Sequence, residues 1–429
     1  MRVHIVGCGP TGMALAWEII HGTDHEVILY DKKPGPGGSW WEPSTEERDL
    51  HSHRIVFQNA YVNTRSLFDE MAMEWSEIFE PSTVGMYGAL LPKLSFVDYV
   101  SLTSLATRVL ANPEYYKKMS LKEAVGRLSR GGRDVLKHTP MIMDGVPWTK
   151  MTAYEYVKSF DVIALSRQYT QKVSGKVMSD QMRSALEVAG AKFVFDAELE
   201  KVTYGENDYL ATFKGNGVQP VKDGMMLLAV DHAQAKRLVG DNWGPNASAK
   251  LDSGLYEAMN VLVDFEGEAP DVSFFEAVMD TRWNIIPARL ADKKTLSCVI
   301  TELTSEVRRS PPETIKREVV KQLGLTGVRD VRIAWGSHWD DEAKGWSFTQ
   351  SSGAYGLLGQ VPFWGACPHV ALVGMMSPRD TPFASIESAV EVARKFCHEE
   401  FGTRAPLRPF LLTHALVVLV VLLVMVFTL

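Results

Sequence analysis

The chain has 429 residues, 46% hydrophobic and 23% charged, a balance that suits a large buried core and excludes an intrinsically disordered protein. A formal net charge of -7 without a long basic run leaves no footprint for nucleic acid. The cysteines Cys8, Cys298, Cys367 and Cys397 are scattered without metal-type spacing, which predicts free thiols in a reducing compartment and no metal site.

Residues 3–6 (VHIV) read as a buried strand, and Gly7, Gly9 and Gly12 follow at once as G-x-G-x-x-G (GCGPTG). Residues 13–20 (MALAWEII) read as an apolar-faced helix that Pro10 and Thr11 introduce. Residues 25–30 (HEVILY) read as a second strand ending on Asp31. No signal peptide is expected, because the chain enters this strand immediately. The order is the one a dinucleotide needs. Gly7 turns the chain, Gly9 admits a pyrophosphate, and Gly12 lets helix and strand approach. The helix N-terminus supplies amides and a positive dipole end. Asp31, 19 residues beyond Gly12, is placed to accept from ribose hydroxyls.

Residues 32–41 (KKPGPGGSWW) carry Lys32, the pair Gly37 and Gly38, then Ser39, Trp40 and Trp41. With the glycine motif before it, this stretch resembles the FAD-dependent flavoprotein superfamily of amine oxidases, phytoene desaturases and protoporphyrinogen oxidases. In that family a second glycine pair carries the chain past the pyrophosphate. Ser39-Trp40-Trp41 is closer to the GG-x-W form of some flavin monooxygenases. No second G-x-G-x-x-G with its own strand and acid follows, which argues against a separate NADPH domain. Residues 42–59 hold His51, His53 and Arg54. These make no metal set, and by the resemblance the segment runs beneath the flavin, with Arg54 a candidate contact.

Helical patterns with capping residues occupy 66–79 and 120–128 within a mostly helical stretch. Trp75, Trp148, Tyr154 and Tyr156 there read as core aromatics. Residues 179–202 return to nucleotide-domain character, and by the resemblance Leu199 holds the adenine end through its backbone. Residues 203–222 read as a hairpin, and 225–239 as a strand running into a helix. Residues 255–265 resemble a family strand whose lysine holds a water against the flavin. Asn260 stands at that place and can hydrogen-bond without the positive charge. Gly353 and Tyr355 resemble a family G-x-Y whose aromatic faces the flavin. Residues 369–396 resemble the closing segment of the flavin site: a strand ending at Gly374, a loop, and a helix starting at Ser385 with Ile386, Glu387 and Ala389. Met375 replaces the family's aspartate. The helix N-terminus would face the electron-rich end of the ring.

Residues 410–429 (FLLTHALVVLVVLLVMVFTL) contain no acid, lysine or arginine over 20 residues, enough as a helix for roughly 30 Å, one hydrocarbon core. Arg404 and Arg408 precede them. The expectation is a single-pass tail anchor with the enzyme on the cytoplasmic face of a membrane.

The expected fold is α/β: a Rossmann-like FAD-binding domain from 1–60, 176–245 and 346–405, interleaved with a substrate domain of mixed sheet plus helices from 61–175 and 246–345, and a C-terminal transmembrane helix at 410–429. The resemblance implies an FAD-dependent, amine oxidase-like oxidoreductase. It takes a hydride from a small-molecule substrate, an amine or a lipophilic compound, with Tyr355 and Asn260 nearest the chemistry. The departures at Asn260 and Met375 leave a second reading open, a non-catalytic nucleotide-binding module of the same fold. An NAD-dependent enzyme is a third.

Overall fold

Five short runs pair in parallel as the central sheet, in the order Val370–Leu372, Met225–Leu228, Arg2–Val6, Glu26–Tyr30, Lys192–Val194. The sheet therefore draws on both ends of the chain and its middle. The structure is a computed structural model; it describes residues 1–42, 55–82, 90–253, 255–272, 274–290, 292–348, 350–352 and 356–419. Met225–Leu228 and Val370–Leu372 are buried at every residue, as strands of a parallel sheet covered on both faces must be.

Proline at the first position starts the opening helix, Pro10–Gly22, which is buried continuously from Thr11 to Ile19. It packs along the closing helix, Ile386–Phe401, whose start is fixed by a capping box between Ser385 and Ser388. Charge fastens these helices as well as apolar contact. Arg394, fully buried on the closing helix, donates to Glu18 at 2.8 Å, Asn63 at 3.3 Å, Ser66 at 3.2 Å and Glu70 at 3.1 Å. Arg404, half exposed, closes the network onto Glu18 and Glu70 from the other side.

A four-stranded antiparallel sheet, ordered Ile285–Arg289, Thr295–Ile300, Met259–Phe265, Val328–Ile333, forms the floor of a second layer. Alternation divides its faces. Met259, Val261, Cys298 and Ile300 pack with Ile315 and Val319 of the helix Pro312–Gln322. Asn260, Val299 and Ile286 lie opposite one another in register and share the other face. A small sheet, ordered Ile55–Phe57, Gln168–Gln171, Phe79–Pro81, forms a third wall.

The insertion helix Arg130–Asp144 is aimed by one carboxylate. Asp98 completes a capping box with Ser95 at the start of the helix Phe96–Ala111. It also accepts from the Ser129 amide at 2.7 Å, and Ser129 in turn caps the insertion helix. Burial works against the charged form, but the Ser129 and Ser95 donors outweigh it and hold the Asp98 carboxyl at about 2. A depressed carboxylate stabilises the fold above its unfolded pKa and loses that contribution as pH falls through the folded value. Asp98→Asn is therefore expected to lower the unfolding free energy from urea denaturation at pH 7 by about 1–2 kcal/mol. The gap to wild type should close between roughly pH 5 and pH 2. A gap independent of pH would refute the assignment.

Two expectations are corrected. The pattern over 66–79 is not one helix: Val62–Glu70 ends, Ala72 takes φ 55°, and a short turn, Trp75–Ile78, follows. The transmembrane helix over 410–429 is not supported. Among the described residues no helix is long and apolar enough to cross a membrane. Residues 412–419 are helical, about 12 Å of rise, and 420–429 lie outside the described residues. The approach to this segment is held by the body, because Leu407 exchanges hydrogen bonds with Asn63 and the Thr413 amide donates to Asp161 at 2.9 Å. Hydropathy alone carries no information about such anchoring. The four cysteines are buried and free.

Candidate functional site

The central sheet, the second sheet, the small third sheet and the end of the insertion helix enclose a cleft of about 820 Å³. Gly7, Gly9, Pro10 and Thr11 line its nucleotide-domain half, with Asp31, Lys32, Gly38, Ser39, Trp40 and Leu199. Gly374, Met375, Ser385 and Ile386 line it too, so the opening loop and the start of the closing helix share one space.

Backbone geometry makes this half a cradle. The opening helix has no side-chain cap at Gly9, which leaves the amides of Thr11 and Gly12 without intrahelical acceptors. Gly12 is behind the wall; a Cβ there would lie 1.9 Å from the Gly7 carbonyl oxygen, so only glycine lets helix and strand meet. Gly37 also stands behind it, and its amide donates to the Cys8 carbonyl at 2.8 Å, laying the second glycine turn on the first. Asp31 accepts from the Cys8 amide at 2.7 Å and from the Lys33 amide at 2.9 Å. Burial pushes its carboxyl up and those amides pull it back. Each oxygen keeps a second lone pair for a hydroxyl. The Lys33 ammonium donates to the Gly38 carbonyl at 2.7 Å and lies 5.2 Å and 5.5 Å from the Trp41 and Trp335 ring centres. It steadies the turn from the cleft side. The Leu199 carbonyl accepts from Arg237 at 2.7 Å.

At the closing helix, Met375 takes part through its thioether, which accepts from the Ser388 hydroxyl at 3.7 Å, and its carbonyl, which accepts from Arg379 at 3.1 Å. Arg379 also donates to Thr381 and to Phe383 at 3.0 Å, so a buried guanidinium shapes the loop from Met375 to the helix start. Glu387 turns away from the cleft. Its oxygens accept from the amides of Asn63 and Thr64 at 2.9 Å and 2.8 Å and from both side chains, capping the helix Val62–Glu70.

The other half of the cleft is mostly apolar, lined by Ile55, Phe57, Tyr61, Phe79, Ile286 and Val299 among others. Asn260 is on the same sheet face as Val299 but does not line the cleft. Its Oδ1 accepts from the Ser297 hydroxyl at 2.6 Å, and its buried Nδ2 finds no partner among the described residues. Tyr355 and Gly353 lie outside the described residues, as do His51, His53 and Arg54.

Asp144, Lys33 and Arg379 were not singled out from the sequence. Lys33 directly follows Lys32 and was within reach of motif reading. Asp144 before Gly145 reads as an ordinary helix end, and only the fold brings it to the cleft.

The residues fit an adenine dinucleotide bearing a ring system: an uncapped helix start for the phosphates, a buried acid for a ribose, and a second helix start across the same space. Residues 5–70 match the family described as NAD(P)-binding Rossmann-like domain. A stretch of 148 residues is 25% identical to the thiamine thiazole synthase of Thermococcus kodakarensis, covering 34% of this chain and 51% of that one. The chain thus spans about half the length of that relative. Over nearly the whole chain the structure resembles solved oxidases. Putrescine oxidase with putrescine bound matches at TM-score 0.63 and 15% identity, over 94% of this chain and 99% of that one. Cyclohexylamine oxidase from Brevibacterium oxydans matches at 0.60 and 13%, over 94% and 98%. At such identities the likeness is one of fold, shared with these two oxidases.

Proposed function

We propose that this chain, sharing the fold of the amine oxidase-like flavoproteins, is an FAD-dependent oxidoreductase that takes a hydride from an amine or another apolar small molecule. The observation that carries the reading is the single cleft in which the Gly9 loop and the Ser385 helix start face a common space beside an apolar chamber. Bound there, FAD would supply the two-electron chemistry. The Thr11 amide would hold its pyrophosphate, and Asp31 a ribose. The start of the 16-residue closing helix at Ile386 presents its positive end, which favours negative charge gathering opposite it. The apolar walls around Phe57, Phe79 and Ile286 keep water from the reacting carbon.

Anaerobic titration tests the reading. Hexylamine or another apolar amine is expected to bleach the flavin absorbance of the purified protein, and oxygen to restore it. Asn260, set behind the wall, and Met375, in place of an acid, favour the second reading, a nucleotide-binding module without turnover. A flavin that dithionite reduces but no amine, lipid or thiol does would support that module and contradict the oxidoreductase.

A further inference from the structure

The insertion helix ends inside the cleft wall. Met141, Ile142 and Met143 line the cleft, and so does the last residue of the helix, Asp144, which is only 3% exposed. Its Oδ1 accepts from the Ala384 amide at 2.7 Å, one residue before the closing helix cap. Its Oδ2 is buried and meets no hydrogen-bond partner among the described residues. Two other buried carboxylates have a partner on each oxygen: Glu387 accepts four hydrogen bonds and Glu155 accepts from the Thr152 and Gly356 amides. An unmatched carboxylate oxygen in an apolar wall is unfavourable unless a donor arrives.

Charges of both signs act on this carboxyl. Arg379 attracts the carboxylate and donates to the carbonyls of Met375, Thr381 and Phe383. Glu155 repels it. The Tyr61 hydroxyl, beside Ser385, feels both Asp144 and Glu387.

We infer that Asp144 selects the polar end of the ligand: a protonated nitrogen on an apolar body docks its N–H donors on the free carboxylate oxygen while the body fills the apolar half of the cleft. The inference rests on taking that half as substrate space, and it assigns the recognition of charge to a residue outside the cofactor cradle. Burial, opposed by the Ala384 amide and Arg379, raises the carboxyl to about 7. Alkyl ammonium groups stay charged to about pH 10. Affinity for the ammonium should therefore rise as Asp144 ionises, about tenfold from pH 6 to pH 8.

The test is calorimetric binding of hexylamine and of neutral 1-hexanol to the full-length protein as purified, with flavin content measured separately by absorbance. Wild type is expected to bind hexylamine about tenfold more tightly at pH 8 than at pH 6, and hexanol equally at both. Asp144→Asn keeps an oxygen for the Ala384 amide. It is expected to lose at least about tenfold in hexylamine affinity at pH 8, to lose the pH dependence and to bind hexanol unchanged. Wild-type hexylamine affinity that is flat between pH 6 and pH 8 would overturn the inference whether or not the variant folds. Equal losses for both probes in the variant would overturn it too, as a purely structural effect. Flavin-free protein that still shows the Asp144-dependent preference would sink the oxidoreductase reading and leave this one standing.

Discussion

Gly38→Val is expected to produce folded protein that carries almost no flavin. Gly38 has φ +58°, and a Cβ there would sit 2.8 Å from Gly9 Cα. The clash is with backbone, so no side-chain rotation relieves it. Either the second glycine turn lifts off the first or the phosphate loop is pushed into the space the cofactor needs. Left-handed strain and overpacking together amount to about 3 kcal/mol, or roughly a hundredfold in affinity. The turn lies at the cleft surface, so the loss should fall on binding and spare the fold. The flavin-to-protein absorbance ratio after dialysis against excess FAD reads the first, and circular dichroism the second. A variant that reconstitutes to wild-type stoichiometry would show that the two glycine turns do not form the cradle.

Arg394→Met is expected to be the most destabilising single change, at about 3–5 kcal/mol, because it removes one partner from a buried charge network. Glu18 is 3% exposed and would keep only Arg404, while Asn63, Ser66 and Glu70 would lose a donor. Arg404→Met removes a guanidinium with the same two acidic partners, yet that side chain is 42% exposed. Solvent already screens it, and its loss should come to about 1 kcal/mol or less. Urea denaturation of the two variants, with wild type as reference, separates the cases. Equal shifts would mean that burial does not set the weight of these pairs.

Local chemistry in the sequence carried much of this architecture. Strand, glycine turn, helix, strand and Asp31 follow one another within 31 residues, and each step has a residue-type requirement that shows in one dimension. The closing strand and helix were visible for the same reason: Gly374 and the Ser385 cap are local signals. Roles set by distant partners were not legible. Glu387 looked like a member of the flavin-facing helix start, yet it caps a helix more than 300 residues away in the chain. Asp144 acquires its role only because the cap at Asp98 and Ser129 aims a helix into the cleft. Asn260 was read correctly as a strand residue, but alternation cannot say how deep behind a wall a residue lies. Hydropathy over 410–429 suggested a span, and the hydrogen bonds from Leu407 and Thr413 to the body have no signature in composition.

The most direct measurement is the identity of the nucleotide released when the purified protein is denatured, read by mass spectrometry and absorbance. If the two ends of the chain build one cradle for a flavin dinucleotide, the supernatant will contain FAD at close to one per chain. NAD in its place, or no nucleotide from protein that also fails to take up added FAD, would contradict it.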